Sequence, residues 1–125
     1  MSNILIVDDE QSYRQLLSLV FESDGHTVRA AMNGRQALEL IQSEPADVII
    51  SDVKMPDMDG IELLRAVRES APDLAVVLMT AFASVETARE AFKLGADDFI
   101  QKPFDVEELK LIVKKALEKQ ALQSI

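Results

Sequence analysis

Three acidic residues in a row, Asp8-Asp9-Glu10, and a further acid, Asp52, each follow a short apolar run. Carboxylates gathered from separate runs repel one another unless a cation sits among them. Oxygen ligands without histidine or cysteine favour magnesium or a similar hard divalent ion, which keeps several waters and leaves positions for a substrate phosphate. A carboxylate is also a nucleophile toward phosphorus, forming an aspartyl phosphate when metal and fixed donors neutralise the transferring group. Two such donors close later apolar runs, the Thr80 hydroxyl after Met79 and the Lys102 ammonium after Gln101. A lysine there acts as a point charge on phosphate. Pro103 can hold the lysine backbone in a fixed turn, through a trans or a cis bond. The same acids argue against a nucleotide or flavin cofactor, because a phosphate cradle at a strand-helix turn needs glycines and bare backbone N–H groups.

These residues meet only if the runs that carry them lie side by side. Apolar, β-branched runs alternate with helix-period segments: Ile4 to Val7, Thr27 to Ala31, Val48 to Ile50, Leu74 to Met79, and Phe99 to Ile100 read as strands. Such alternation implies βαβ units and a parallel sheet. The first, third and fourth runs are apolar without alternation, as expected of strands covered on both faces, whereas the second and fifth are more mixed and belong at the edges. That predicts an α/β, flavodoxin-like (βα)5 fold, a doubly wound five-stranded parallel sheet of order 2-1-3-4-5. In such sheets ligands bind beyond the carboxyl ends of the strands, where strand order reverses. Asp8 to Glu10 and Asp52 then line that crevice.

Helix signals support the same reading. Asp59 and Glu62 flank the start of a segment with Ile61, Leu64 and Val67 on one face, and Ser84 precedes Val85, Ala88 and Phe92. Asp105 and Glu108 have capping-box spacing, and Gly25 and Gly95 are expected C-terminal stops. The last helix offers Leu109, Ile112, Val113, Ala116 and Leu117 to the sheet. Helix-favouring residues then continue to Ile125 without a cap. The expected organisation is one domain over residues 1–120, with 121–125 beginning a linker or dimerisation helix that is cut short.

Composition narrows the partners. The 125 residues carry 22 acidic and 13 basic side chains, a net charge of -9, and the basic residues are scattered apart from Lys110, Lys114, Lys115 and Lys119. A nucleic-acid backbone would be repelled, so direct binding to it is not expected. The absence of cysteine excludes disulfides and thiolate chemistry, and no apolar run is long enough to span a bilayer, which predicts a cytoplasmic protein. His26, the only histidine, lies far in sequence from the acids and is assigned no role. Met55, Met58 and Met79 read as packing residues.

Taken together, Asp8-Asp9, the segment from Ser51 to Gly60 (SDVKMPDMDG), Thr80-Ala81 and Lys102-Pro103-Phe104 resemble the receiver domain of two-component response regulators over essentially the whole chain. The segments Thr80 to Ala88 and Lys93 to Phe99 are similar to receivers of NtrC-like enhancer-binding activators. The resemblance implies that Asp52 is the phosphoacceptor for a sensor histidine kinase. It also implies that Asp9 ligates Mg2+ directly, Asp8 mainly through water, and Lys54 through its backbone carbonyl. Thr80 and Lys102 would contact the phosphoryl oxygens. Phe99 matches the switch aromatic that turns inward when the threonine moves, rebuilding the surface of helix 4, strand 5 and helix 5. That surface, or an extension of helix 5, would form a homodimer, and a transcription-activating output domain would lie outside this chain.

Asp8 and Asp9 could merely cap a helix and occupy its first turn, where negative charge is favourable. A magnesium-dependent phosphatase of the haloacid-dehalogenase type also uses an aspartyl phosphate, but it needs a second acid two residues after the nucleophile, where this chain has Lys54. A silent dimerisation domain usually lacks one of the acids, the threonine or the lysine, and this chain keeps them all. The domain is thus read as a signalling module, not an enzyme on external substrates.

Overall fold

The computed structural model describes residues 2–123. Strands and helices alternate: β1 (Asn3–Val7), α1 (Gln11–Ser23), β2 (Thr27–Ala31), α2 (Gly34–Ser43), β3 (Val48–Asp52), α3 (Gly60–Ser70), β4 (Ala75–Thr80), α4 (Val85–Lys93), β5 (Asp98–Gln101) and α5 (Val106–Gln123). All pairings are parallel, and the sheet order is β2-β1-β3-β4-β5, as the mixed edge runs predict. β3 and β4 run slightly further than their apolar stretches, so Asp52 and Thr80 are the last residues of their strands.

Each face of the sheet has its own core. Leu5, Val7, Ile49, Val76 and Leu78 pack with Leu63, Leu64 and Val67 of α3, Ala37 of α2 and Ala91 of α4. Ile4, Ile6, Val48, Ile50, Val77, Met79 and Ile100 pack with Leu17 and Phe21 of α1 and Leu109, Val113 and Ala116 of α5. Successive strand residues point to opposite faces, so positions two apart share one. Asp8, Asp52 and Lys102 each stand two residues beyond an isoleucine of the second core: Ile6, Ile50 and Ile100. The polar site continues an apolar row that has reached the end of the sheet.

Local sequence ends the helices as expected. At Gly25 (φ 90°) and Gly95 (φ 101°) the chain enters the left-handed region that favours glycine. After α4, Gly95 N–H donates to Phe92 O and Ala96 N–H to Ala91 O, and after α1, Gly25 N–H donates to Glu22 O and His26 N–H to Phe21 O. Both are Schellman closures. Two details differ from expectation. The reciprocal capping box forms at Asp59 and Glu62, whereas Asp105 caps α5 through Glu107 N–H at 2.9 Å. The Val85 and Phe92 stripe of α4 turns outward, 75% and 50% exposed, because α4 packs on the sheet side through its small residue Ala91. α5 continues unbroken to Gln123, while the remainder of the segment expected to begin a linker, 124–125, lies outside the described residues.

Candidate phosphoacceptor site

Asp8, Asp52, Thr80 and Lys102 are four of the five buried polar or charged residues among those described, with 0, 6, 1 and 6% exposure. Burying ionised groups is costly unless they are paired and hydrogen-bonded. Lys102 Nζ supplies the pairing, 2.8 Å from Asp8 Oδ2 and 3.2 Å from Asp52 Oδ2. The remaining oxygens take backbone donors: Asp8 Oδ1 accepts from Glu10 N–H at 2.9 Å, and Asp52 Oδ1 from Lys54 N–H at 3.3 Å. Two carboxylates thus share one ammonium. Burial chiefly pushes the Asp52 carboxyl above its ordinary value, Lys102 opposes that, and the neighbouring Asp8 charge adds to it. Burial alone would lower the Lys102 ammonium. The hydrogen bond to Asp8 and the charges of both carboxylates outweigh it and leave the ammonium raised.

The backbone that presents these groups is itself constrained. Asp8 N–H donates to Ala31 O at 3.1 Å and Asp8 O accepts from Arg14 Nη1 at 2.7 Å, which ties the end of β1 to β2 and α1. Lys102 N–H donates to Thr80 O, and the Lys102-Pro103 peptide is cis. Gly60 N–H donates to Val53 O, folding the β3–α3 loop back against the end of β3, and a Cβ at residue 60 would collide with Asp52 O. No other residue fits there without moving the strand. Asp57, at φ 68°, is the loop's left-handed residue.

The structure separates the neighbouring acids by role. Asp8 and Asp9 do not cap α1: its N-cap is Glu10, which makes no side-chain cap, and its first turn has no acid. The alternative in which the pair merely caps a helix is thereby set aside. Carboxylate oxygens of Asp8, Glu10 and Asp52 lie within 4.8 Å of one another. Asp9 is exposed beside that cluster and lines an open depression of about 500 Å³ with Val53, Lys54, Met55, Pro56 and Asp59. From sequence Glu10 belongs to the acidic crevice without being a ligand, and it is the turn at Asp8, folding Glu10 back, that brings it into the cluster. The donor set is all hard oxygen and carries excess negative charge, which fits a magnesium-type ion.

The remaining predicted residues take other partners. Thr80 Oγ1 accepts from Phe82 N–H at 3.2 Å. Phe99 pairs with Leu78, two residues before Thr80 on the same face, and is half-buried against the α3–α4 core. The Lys54 ammonium lies 5.1 Å from the centre of the exposed Phe82 ring. His26 accepts from Ser2 N–H and stays apart from the acids.

A five-stranded 2-1-3-4-5 sheet whose carboxyl edge holds an acid pair, a strand-end aspartate, a threonine and a lysine defines a class, and the comparison with known families agrees. Residues 4–114 match the response regulator receiver domain, and the chain belongs to that family. Among its relatives, the regulatory protein AtoC of Escherichia coli (strain K12) is 46% identical over 98% of this chain, which corresponds to 27% of AtoC. The chain thus spans about a quarter of such regulators, which also include NtrC and ZraR proteins. Sporulation initiation phosphotransferase F of Bacillus subtilis (strain 168) is 40% identical over 91% of this chain and 92% of its own length. A CheY-like receiver domain protein from Methanospirillum hungatei JF-1 superposes with a TM-score of 0.94 at 30% identity, covering 98% of each chain. The domain is a signalling module of two-component systems. No helix among the described residues is long and apolar enough to cross a membrane.

Proposed function

We propose that Asp52 accepts a phosphoryl group from the phosphohistidine of a sensor kinase. The observation that carries this reading is the single ammonium of Lys102 held between Asp8 and Asp52, with Asp52 6% exposed at the sheet edge. An Asp52 carboxylate oxygen forms the O–P bond as the N–P bond breaks, and imidazole is the leaving group. Hydrolysis later returns the carboxylate and releases phosphate. Magnesium, held by Asp9 and Asp52, by the Lys54 carbonyl and through water by Asp8, would neutralise charge on the transferring group. Glu10 stands close enough to join them. Lys102 trades its contact with Asp52 for a phosphoryl oxygen, and the Thr80 hydroxyl donates to another.

Phosphorylation adds roughly two negative charges and strong acceptor oxygens. Movement of Thr80 opens space on the face that Phe99 shares with Leu78, and Phe99 turns inward while Lys102-Pro103 keeps the following loop in register. The α4–β5–α5 surface is rebuilt as a result. Its exposed Phe82, Val85 and Phe92, together with Leu122 on α5, supply the apolar area for a homodimer, through that face or through the α5 extension. We assign the receiver to residues 1–120 and the start of a linker or dimerisation helix to 121–125. It works in the cytoplasm and controls a transcription-activating output domain. Intact mass after incubation with a small acyl phosphodonor tests the chemistry. One phosphoryl group is expected in wild type, none in Asp52→Asn and none with excess chelator. Labelling of Asp52→Asn overturns the acceptor assignment.

A further inference from the structure

An ammonium has three N–H donors, and in Lys102 the two carboxylates occupy two of them. Beyond them, Lys102 Nζ lies 3.9 Å from the centre of the Tyr13 ring. That is close contact for a cation over an aromatic face, where the ring quadrupole attracts positive charge. Tyr13 is on the first turn of α1, packed on the same face of the sheet as Lys102. It is half-buried, and its ring centre lies 6.2 Å from that of Phe104, which follows the cis Lys102-Pro103 bond. Tyr13, Pro103 and Phe104 also border a groove of about 170 Å³ with Ser12, Leu16 and Val106.

We propose that Tyr13 is a positioning residue for phosphoryl transfer: its ring face holds the Lys102 ammonium at the mouth of the site. The inference rests on the reading of Lys102 as a phosphoryl contact. A ring differs from a third carboxylate in one decisive respect. It attracts the ammonium without a countercharge, so it does not compete with the incoming phosphoryl oxygens for the charge of Lys102. It also restrains the flexible lysine stem when Asp52 is modified and its own contact with Lys102 Nζ is given up. Because the contact uses the ring and not the hydroxyl, phenylalanine should serve as well as tyrosine.

The test combines NMR of the lysine side chains with the rate of labelling by a small acyl phosphodonor in magnesium, for wild type, Tyr13→Phe and Tyr13→Leu. The ring current should move the Lys102 ε-methylene protons clearly upfield of the other lysines in wild type and in Tyr13→Phe, and Tyr13→Leu should abolish that shift. Labelling should slow about 3- to 10-fold in Tyr13→Leu, in keeping with loss of one partly desolvated cation–π contact, and recover in Tyr13→Phe. A normal Lys102 shift in wild type overturns the contact without any variant, so a Tyr13→Leu that fails to fold leaves the proposal testable. Wild-type labelling in Tyr13→Leu overturns the role. If wild type takes no phosphoryl group while the upfield shift is present, the phosphoacceptor reading fails and, with it, the role, although the contact stands.

Discussion

The two ends of the sheet both hold charge, and they satisfy it differently. At the amino ends of β4 and β5, Arg68 of α3 donates to Gly95 O, Pro72 O and Leu74 O and pairs with Asp97 at 3.0 Å. Asp97 in turn accepts from Val76 N–H at 2.8 Å and meets Lys119 of α5 at 3.4 Å. Nearby, Asn3 N–H donates to Asp47 Oδ2 while Asp47 N–H donates to Asn3 O. The guanidinium and both carboxylates there are hydrogen-bonded, and most of the partners are backbone, which moves little. At the carboxyl ends, two buried carboxylates divide one ammonium, and Asp52 is held above its ordinary value as a result of burial. A saturated network fixes helices to strands. An under-compensated one is poised to take up a cation or to exchange partners. Under the proposed function, the contrast separates structural ion pairs from functional ones within one small domain.

Substitutions at each end break that contrast in opposite ways. Lys102→Ala removes the cation that bridges Asp8 and Asp52. Phosphodonor labelling should fall roughly a thousandfold, the scale of losing a preorganised charge at a reacting group. Arg68→Ala leaves Asp97 and several carbonyls without their partner. It should lower unfolding stability by about 3 kcal/mol in denaturant titrations while labelling of the folded fraction stays at the wild-type rate. A labelling defect in Arg68→Ala would join the two ends and undo the distinction.

The acid site has a pH signature in metal-free buffer. A carboxyl whose folded value is raised contributes most to stability below the ordinary aspartate value, and that contribution is lost as pH rises through the folded value. Asp52→Asn has no such loss. Its melting temperature should therefore exceed that of wild type at neutral pH by about 3 °C, the equivalent of roughly 1 kcal/mol for a chain of this size. The gap should close in acid. A gap that widens in acid would mean that attraction to Lys102 outweighs burial. The smallest effect belongs to Lys119→Ala, whose partly exposed pair with Asp97 should be worth at most about 1 kcal/mol by the same titration.

Much of this was legible from residue types alone. The apolar runs located all five strands and their order, because a strand covered on both faces is apolar throughout and an edge strand is not. Asp8, Asp52, Thr80 and Lys102 were legible because each closes such a run. What escaped depends on backbone geometry. Glu10 joins the acid cluster only through the turn at Asp8, and Tyr13 meets Lys102 only because α1 starts where it does. The Arg68–Asp97 pair spans 29 positions and depends on the left-handed Gly95, which brings its carbonyl to the guanidinium. On α4, periodicity grouped Val85, Ala88 and Phe92. Packing instead selected Ala91, since a nine-residue helix allows more than one apolar stripe.

The shared parity of Asp8, Asp52 and Lys102 with Ile6, Ile50 and Ile100 has an evolutionary consequence. A point substitution in β1, β3 or β5 alters one side chain. A single inserted or deleted residue within any of these strands reverses every side chain beyond it, turning the acid or lysine to the opposite face and apolar residues out of their core. Lineages descending from this sequence can therefore vary the crevice letter by letter, and length changes should accumulate only in the loops that join the strands to their helices.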